Sequence, residues 1–215
     1  MKKGTPQPLK HLHYLIIISL LISGCTTQQT ASSNPSRWLQ NYGIAPPKIE
    51  HPIQLCTDFG CKTKGLANFS HADILKISAL FDPQSMTASE ERISISEAIG
   101  LMETITGPEL NTLHDLPANS FWASKSNQLD CIAESGNSSA YLLLLEQLHL
   151  LQHHTVTGIV HRGLFTLNAP HNSASIQETS SGQYFVVDSW FSANGKPAWV
   201  TPLAVWETGA RPKNE

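Results

Sequence analysis

The spacing of apolar and polar positions changes twice along this chain, and each change predicts a different kind of segment. Leu12 to Ile22 is an almost unbroken apolar run, and Thr26 to Ser36 is then small, polar and free of large apolar side chains. A helical rhythm follows. Residues 71–81 read as one helix with Pro83 close behind. A second begins near Ser89, which can cap it, with Glu90 and Glu91 at the positive end of the helix dipole. Its Ile95, Ala98, Ile99, Met102 and Ile105 recur near the helical period, and Gly107-Pro108 is the expected stop. Residues 108–129 read as a loop. A third helix, capped by Asp130 or Asn127, is expected to reach about Gln152, with Gly136 and Asn137 weakening its second turn. Its Tyr141–Leu145, Leu148 and Leu151 are apolar nearly all round, so it should be central and buried. His149, His153 and His154 near its end read as favourable helix-end charge or a solvated edge. From there the period falls to two. Thr155–Leu167, Ser173–Glu178 and Gln183–Phe191 read as strands split by turns, with a short strand near "AWVTPL". Helices first and an antiparallel sheet afterwards predict an α+β domain.

Composition narrows the setting. The 215 residues suffice for one domain with a real core. The net charge is −3 with no basic stripe, which argues against a nucleic-acid partner. Lys2, Lys3 and Lys10 precede the apolar run, which is too short for a stable membrane span. The run ends in "ISGC", Ile22 to Cys25, which resembles the bacterial lipobox. That resemblance implies cleavage before Cys25, lipidation of its thiol and anchoring in a lipid bilayer. An ordinary signal peptide cut nearby and an uncleaved anchor are the alternatives. Thr26 stands where an Asp would signal inner-membrane retention, so the outer membrane, on its periplasmic face, is the expected location. Losing residues 1–24 removes three lysines and no acids, taking the charge from −3 to −6. The expected division is a signal peptide over 1–24, a lipidated cysteine and flexible tether over 25–40, a domain over 41–210 and a tail over 211–215.

With Cys25 committed to lipid, three cysteines remain. Cys56 and Cys61 flank "TDFG", where Gly60 lets the chain turn, and an oxidising periplasm favours a disulfide between them. Zinc is the rival, but two cysteines without nearby histidines make a poor site. No metal or other cofactor is expected. Cys131 is left over, at the start of the buried helix. There, free backbone N–H groups and the helix dipole favour the reactive thiolate.

A cysteine nucleophile needs a base, and the base needs an orienting group. His171 opens one predicted strand and Asp188 closes the next. A hairpin centred between Thr179 and Ser180 would set them directly opposite each other. A bulge at Gly182 would change that register. His161 is the second candidate base, but pairing it with Asp188 would place the turn inside a predicted strand.

"DC" opening a helix, then a histidine, then "VVDSW" about seventeen residues later, with "FWAS" (Phe121–Ser124) just upstream, resembles the transglutaminase-like branch of the papain-like superfamily. The pattern resembles the bacterial transglutaminase-like cysteine proteinases in particular. The resemblance implies a papain/transglutaminase-like fold and a Cys131–His171–Asp188 triad acting on peptide or amide bonds, as protease, amidase or transamidase. The expected substrate is a peptide or protein, cell-wall peptide among them. The Cys131 backbone N–H would hold the oxyanion, with Gln128 and Trp122 as further donor candidates. Two other readings stay open. NlpC/P60-like peptidoglycan peptidases also place Asp-Cys at a helix start, although "VVDSW" is foreign to them. A binding or scaffold lipoprotein that has lost activity is the non-enzymatic reading, raised by Leu129 where the family has Gly and Asn172 where many members have an aromatic.

Overall fold

The computed structural model describes Met1 and residues 35–81, 86–119, 127–163 and 169–213. Helix α1 (Pro35–Asn41) leads into a small hairpin of β1 (Ile53–Cys56) and β2 (Lys64–Ala67). Helices α2 (His71–Ser78), α3 (Ala88–Leu110) and α4 (Cys131–Gln147) follow. The antiparallel meander β3 (His154–Arg162), β4 (His171–Glu178), β5 (Tyr184–Asp188) and β6 (Trp199–Pro202) ends in the short helix α5 (Leu203–Glu207). The chain is therefore an α+β protein. No described helix is long and apolar enough to cross a membrane.

Helix α4 is the axis of the molecule. It packs on β3, β4 and β5 on one side and on β1, α1 and α3 on others, and every residue from Ala133 to Leu145 is buried. The expectation of a central helix holds, and the glycine that weakens it has a packing role. A Cβ at Gly136 would come within 3.1 Å of Ile44 and 3.4 Å of the Cys56 sulfur. Next to it, Asn137 behaves like a strand neighbour. It accepts from the Cys56 N–H at 2.7 Å and donates to the Cys56 carbonyl at 3.1 Å. The β1–β2 hairpin is thus tied to the helix, and the Cys56–Cys61 disulfide closes its turn.

Several boundaries differ from the sequence reading. Leu39 of α1 is fully buried, so ordered structure reaches into the stretch read as tether. Strands β1 and β2 were not anticipated, because four residues each, with Gln54, Lys64 and Gly65 among them, carry too little alternation. Thr87, not Ser89, caps α3 in a reciprocal box with Glu90. The helix also runs through Gly107-Pro108 to Asn111, whose φ of 59° ends it. Proline in a last turn removes only one helical hydrogen bond, so it does not force the stop. Helix α4 ends at Gln147, short of Gln152, where His149 turns left-handed at φ 56°. His154 is not a solvated edge. It is buried, with Nδ1 2.8 Å from Glu91 Oε1.

Two irregularities set the sheet register. The β4–β5 pairing joins Ala174 to Val187 and Gln177 to Tyr184, so partner numbers sum to 361 rather than the expected 359. Gly182, at φ 71°, lengthens the turn: Glu178 N–H donates to Gln183 O, and Gly182 N–H to Glu178 O. In β3 a bulge lies between Val156 and Gly158, where Gly158 adopts φ 110°. Beyond it, Arg162 pairs with His171.

Replacing Cys56 and Cys61 together by serine should lower unfolding stability by about 2 kcal/mol, from the entropy of so short a closed loop. Denaturant unfolding with and without reductant measures it. An unchanged midpoint would show that the Asn137 and Asp130 hydrogen bonds hold the hairpin without the disulfide.

Candidate active site

Cys131 is the first residue of α4 and is partly exposed. Asp130 caps the helix, with Oδ1 accepting from the Ala133 N–H at 2.9 Å and also from Gly60 N–H at 2.9 Å. Gly60 takes φ 66° within the disulfide turn, a backbone state glycine adopts freely. The same carboxylate therefore starts the helix and docks the disulfide turn beside Cys131. The Cys131 N–H lies beside the residue's own sulfur and favours its thiolate form, and as a first-turn N–H it has no partner within the helix.

His171 and Asp188 come together although the register differs from the expected one. Extending the observed pairing sets Ser173 opposite Asp188, two positions from His171. A shift of two leaves every side chain on its original face, and diagonal neighbours stay within reach of long side chains. His171 Nε2 lies 2.7 Å from Asp188 Oδ2, and both residues are buried. Trp206 of α5 donates its indole N–H to the same oxygen at 2.8 Å. Trp206 is fully buried, and no spacing rule in the sequence pointed to it. The rings of Trp190, Phe191 and Trp206 surround the imidazole with centroids 4.6, 5.2 and 5.5 Å away.

With Nε2 committed to Asp188, the imidazole's other nitrogen matters most. Nδ1 is buried and has no hydrogen-bond partner among the described residues. The hydrogen bond from the Cys131 thiol to His171 is thus not closed in this structure. The backbone N–H of Asn172, the residue that follows His171, instead acts on the cysteine sulfur and favours its charged form. Burial pushes the Cys131 thiol up to about 11, the Asn172 N–H acts the other way, and the charges of Asp130 and Asp188 push it up further. Desolvation thus outweighs the helix-end effect that the sequence suggested, and the resting group is a thiol.

The remaining candidates separate clearly. Gln128 is buried, and its amide donates to the His114 carbonyl at 2.9 Å and the Asn127 carbonyl at 3.3 Å. Both its hydrogens are spent inside the protein, so it has none to offer an oxyanion. It instead anchors the 114–119 loop, accepting from Leu116 N–H and Asn119 Nδ2. Trp122 and Cys25 lie outside the described residues. His161 pairs with Asn172, its Nδ1 2.6 Å from Asn172 Oδ1, and its ring faces Trp38. It has no contact with Asp188.

Behind Cys131 lies an acidic layer that the sequence did not announce. Glu134, one turn into α4, meets Glu103 of α3 and Asp115, all three buried. Desolvation raises all three carboxyls, with Glu103 reaching about 8. Protonated Glu134 donates to Asp115, which accepts the Leu129 N–H at 2.8 Å. Ser189, the residue after Asp188, donates to Glu134. This network joins the backbone before Cys131 to the backbone after Asp188. Among the described residues, no three His, Cys, Asp or Glu side chains are arranged to hold a metal ion.

His171 also lines a pocket of about 70 Å³ with Arg162, Trp190 and Arg211. Phe191 is shared with a more open groove of about 470 Å³ reaching Trp199 and Lys213. A separate cavity of about 320 Å³ near Lys48, His51 and Leu144 includes none of the site residues. No protein-family model, curated protein or solved structure matches this chain.

Two pH effects follow. Alkylation of Cys131 by iodoacetamide should accelerate with pH toward about 11, and a plateau reached below pH 8 would mean that burial is not the dominant influence. For Glu103, a folded pKa raised above the unfolded value stabilises the protein fully below the ordinary carboxylate range and loses that contribution as pH rises toward about 8. Thermal unfolding should therefore show less stability at pH 8 than at pH 5 from this group, and Glu103→Gln should flatten the slope.

Proposed function

We propose that the chain is a cysteine-dependent amide hydrolase or transamidase with a papain/transglutaminase-like arrangement. The observation that carries this reading is the buried His171 imidazole, held through Nε2 by Asp188, with its other nitrogen unpartnered near the first turn of α4. Asp188, itself oriented by Trp206, sets the tautomer that leaves Nδ1 with its lone pair.

In this mechanism the Cys131 sulfur attacks the carbonyl carbon of an amide while its proton passes to His171 Nδ1. Substrate binding brings the two groups together, as catalytic hydrogen bonds that are open in the free enzyme often tighten with substrate. The thiol is neutral at rest, so proton transfer accompanies attack. The carbonyl oxygen becomes an oxyanion and is met by the Cys131 N–H at the helix start. The C–N bond then breaks, and His171 returns the proton to the leaving nitrogen. Water or a second amine attacks the thioester, giving up its proton through His171, and the carbon–sulfur bond breaks to restore the thiol. Water makes the activity hydrolytic, and an amine makes it transamidation.

A binding-only reading has one observation in its favour: the raised thiol pKa together with the open Cys131–His171 contact. An NlpC/P60-like peptidase gains no support of its own from the site. The lipobox-like "ISGC" supports an outer-membrane lipoprotein whose substrate is peptide, protein or cell-wall peptide in the periplasm.

Cys131→Ala should abolish turnover of peptide or peptidoglycan substrates while leaving the circular dichroism spectrum unchanged. Asp188→Asn should cost roughly 10³–10⁴-fold in kcat. His161→Ala should stay near wild type. Hydrolysis that survives Cys131→Ala sinks the proposal, and loss of activity in His161→Ala would reassign the base. Metabolic labelling with a fatty-acid analogue should mark the protein through Cys25, and label persisting in Cys25→Ala would disprove the anchor.

A further inference from the structure

Arg162 is 9% exposed, and no carboxylate lies within ion-pair distance of it among the described residues. Its described hydrogen-bond partners are neutral: one terminal nitrogen donates to the carbonyls of Trp206 and Ala210. Its guanidinium lies 4.4 Å from the centre of the Trp206 ring. A guanidinium this buried with no anion partner is costly. Burial lowers the Arg162 pKa, the Asp188 charge opposes that, and a second arginine lining the same pocket, Arg211, adds to the lowering as a like charge, with Cys131 opposing it. Two cations thus line one small pocket together with His171.

The pocket holds about 70 Å³, and the share of liquid volume taken by one water is roughly 30 Å³. A carboxylate fits that space. The planar fork of arginine suits a carboxylate particularly well. Position adds direction. The pocket is lined by His171 and not by Cys131, so it adjoins the group that protonates the leaving nitrogen.

We propose that Arg162 and Arg211 form a carboxylate-binding subsite on the leaving-amine side of His171, which selects substrates with a free carboxylate close to the amide that reacts. This rests on the amide-directed reading of Cys131 and His171 given above. The carboxylate comes from a chain terminus or from an acidic side chain, and the chemistry is the same for both. Trp190 and Phe191, which border the pocket, cover the apolar part of the residue that bears it.

The test uses the full-length protein and three small probes: N-acetylglycylglycine, its C-terminal amide, and N-acetylglutamic acid α-amide. Occupancy is read by tryptophan fluorescence, with Trp190 at the pocket, and by slowed iodoacetamide alkylation of Cys131. At least one acid should bind about ten-fold more tightly than the neutral amide, as expected for charge-assisted hydrogen bonds. The acid that binds identifies the source of the carboxylate. Arg211→Gln alters an exposed side chain and should narrow the ratio to about three-fold or less. Arg162→Lys, which keeps the charge but loses the fork, should narrow it as well. Equal binding of acid and amide, no binding by any probe, or a ratio unchanged in both variants overturns the subsite. Acid discrimination without any Cys131-dependent turnover would remove the hydrolase reading and leave the subsite standing. Turnover that ignores the carboxylate would do the reverse.

Discussion

A helix buried on every side has no solvent to satisfy its polar groups, and that constraint on α4 shapes the rest of this protein. Between Ala133 and Leu145 the helix carries Glu134, Ser135, Asn137, Ser138 and Ser139, all buried. Each such group costs free energy unless it finds a partner. Asn137 finds the backbone of β1, Ser138 finds Ser189, Glu134 finds Asp115 and Ser189, and Ser135 bonds back to Ile132, while the Ser139 hydroxyl has no partner among the described residues. The partners of Asn137, Ser138 and Glu134 come from segments far apart in the chain. Satisfying the helix therefore fixes the disulfide hairpin, the 115–119 loop and the end of β5 around one point. Cys131 stands at that point because the helix begins there.

Much of this was legible in the sequence. The change from helical to alternating spacing gives the order of the main elements, because long periodic segments average over many residues. Asp130 as cap, the Cys56–Cys61 pair and the free Cys131 were readable because they depend on local chemistry. The meeting of His171 with Asp188 was also expected, although for a register the structure does not have. It survives because an error of two positions in a hairpin keeps the face.

The unread parts depend on distance or on burial. Trp206 reaches Asp188 from a five-residue helix that no periodicity announces. Glu103, Asp115 and Glu134 sit in three separate segments, each with an ordinary polar neighbourhood in the sequence, and only packing brings them together. The thiol of Cys131 shows the same limit from the other side. Its place at a helix start is a local fact and argues for thiolate, whereas its desolvation is a property of the whole fold and argues for thiol. The global effect is the larger one here.

The bulge at Gly158 carries a consequence for what stands beside the imidazole. Before it, partners in β3 and β4 have numbers summing to 332, and after it to 333. Carried to the end of the strand without the extra residue, the first register would bring His161 opposite His171. The observed one brings Arg162. One inserted residue therefore exchanges a second titratable ring for a permanent cation, and the identity of the neighbour is written in backbone spacing rather than in side-chain choice. The positive φ at Gly158, opposite Ser175 and four positions before Arg162, decides which charge the site presents.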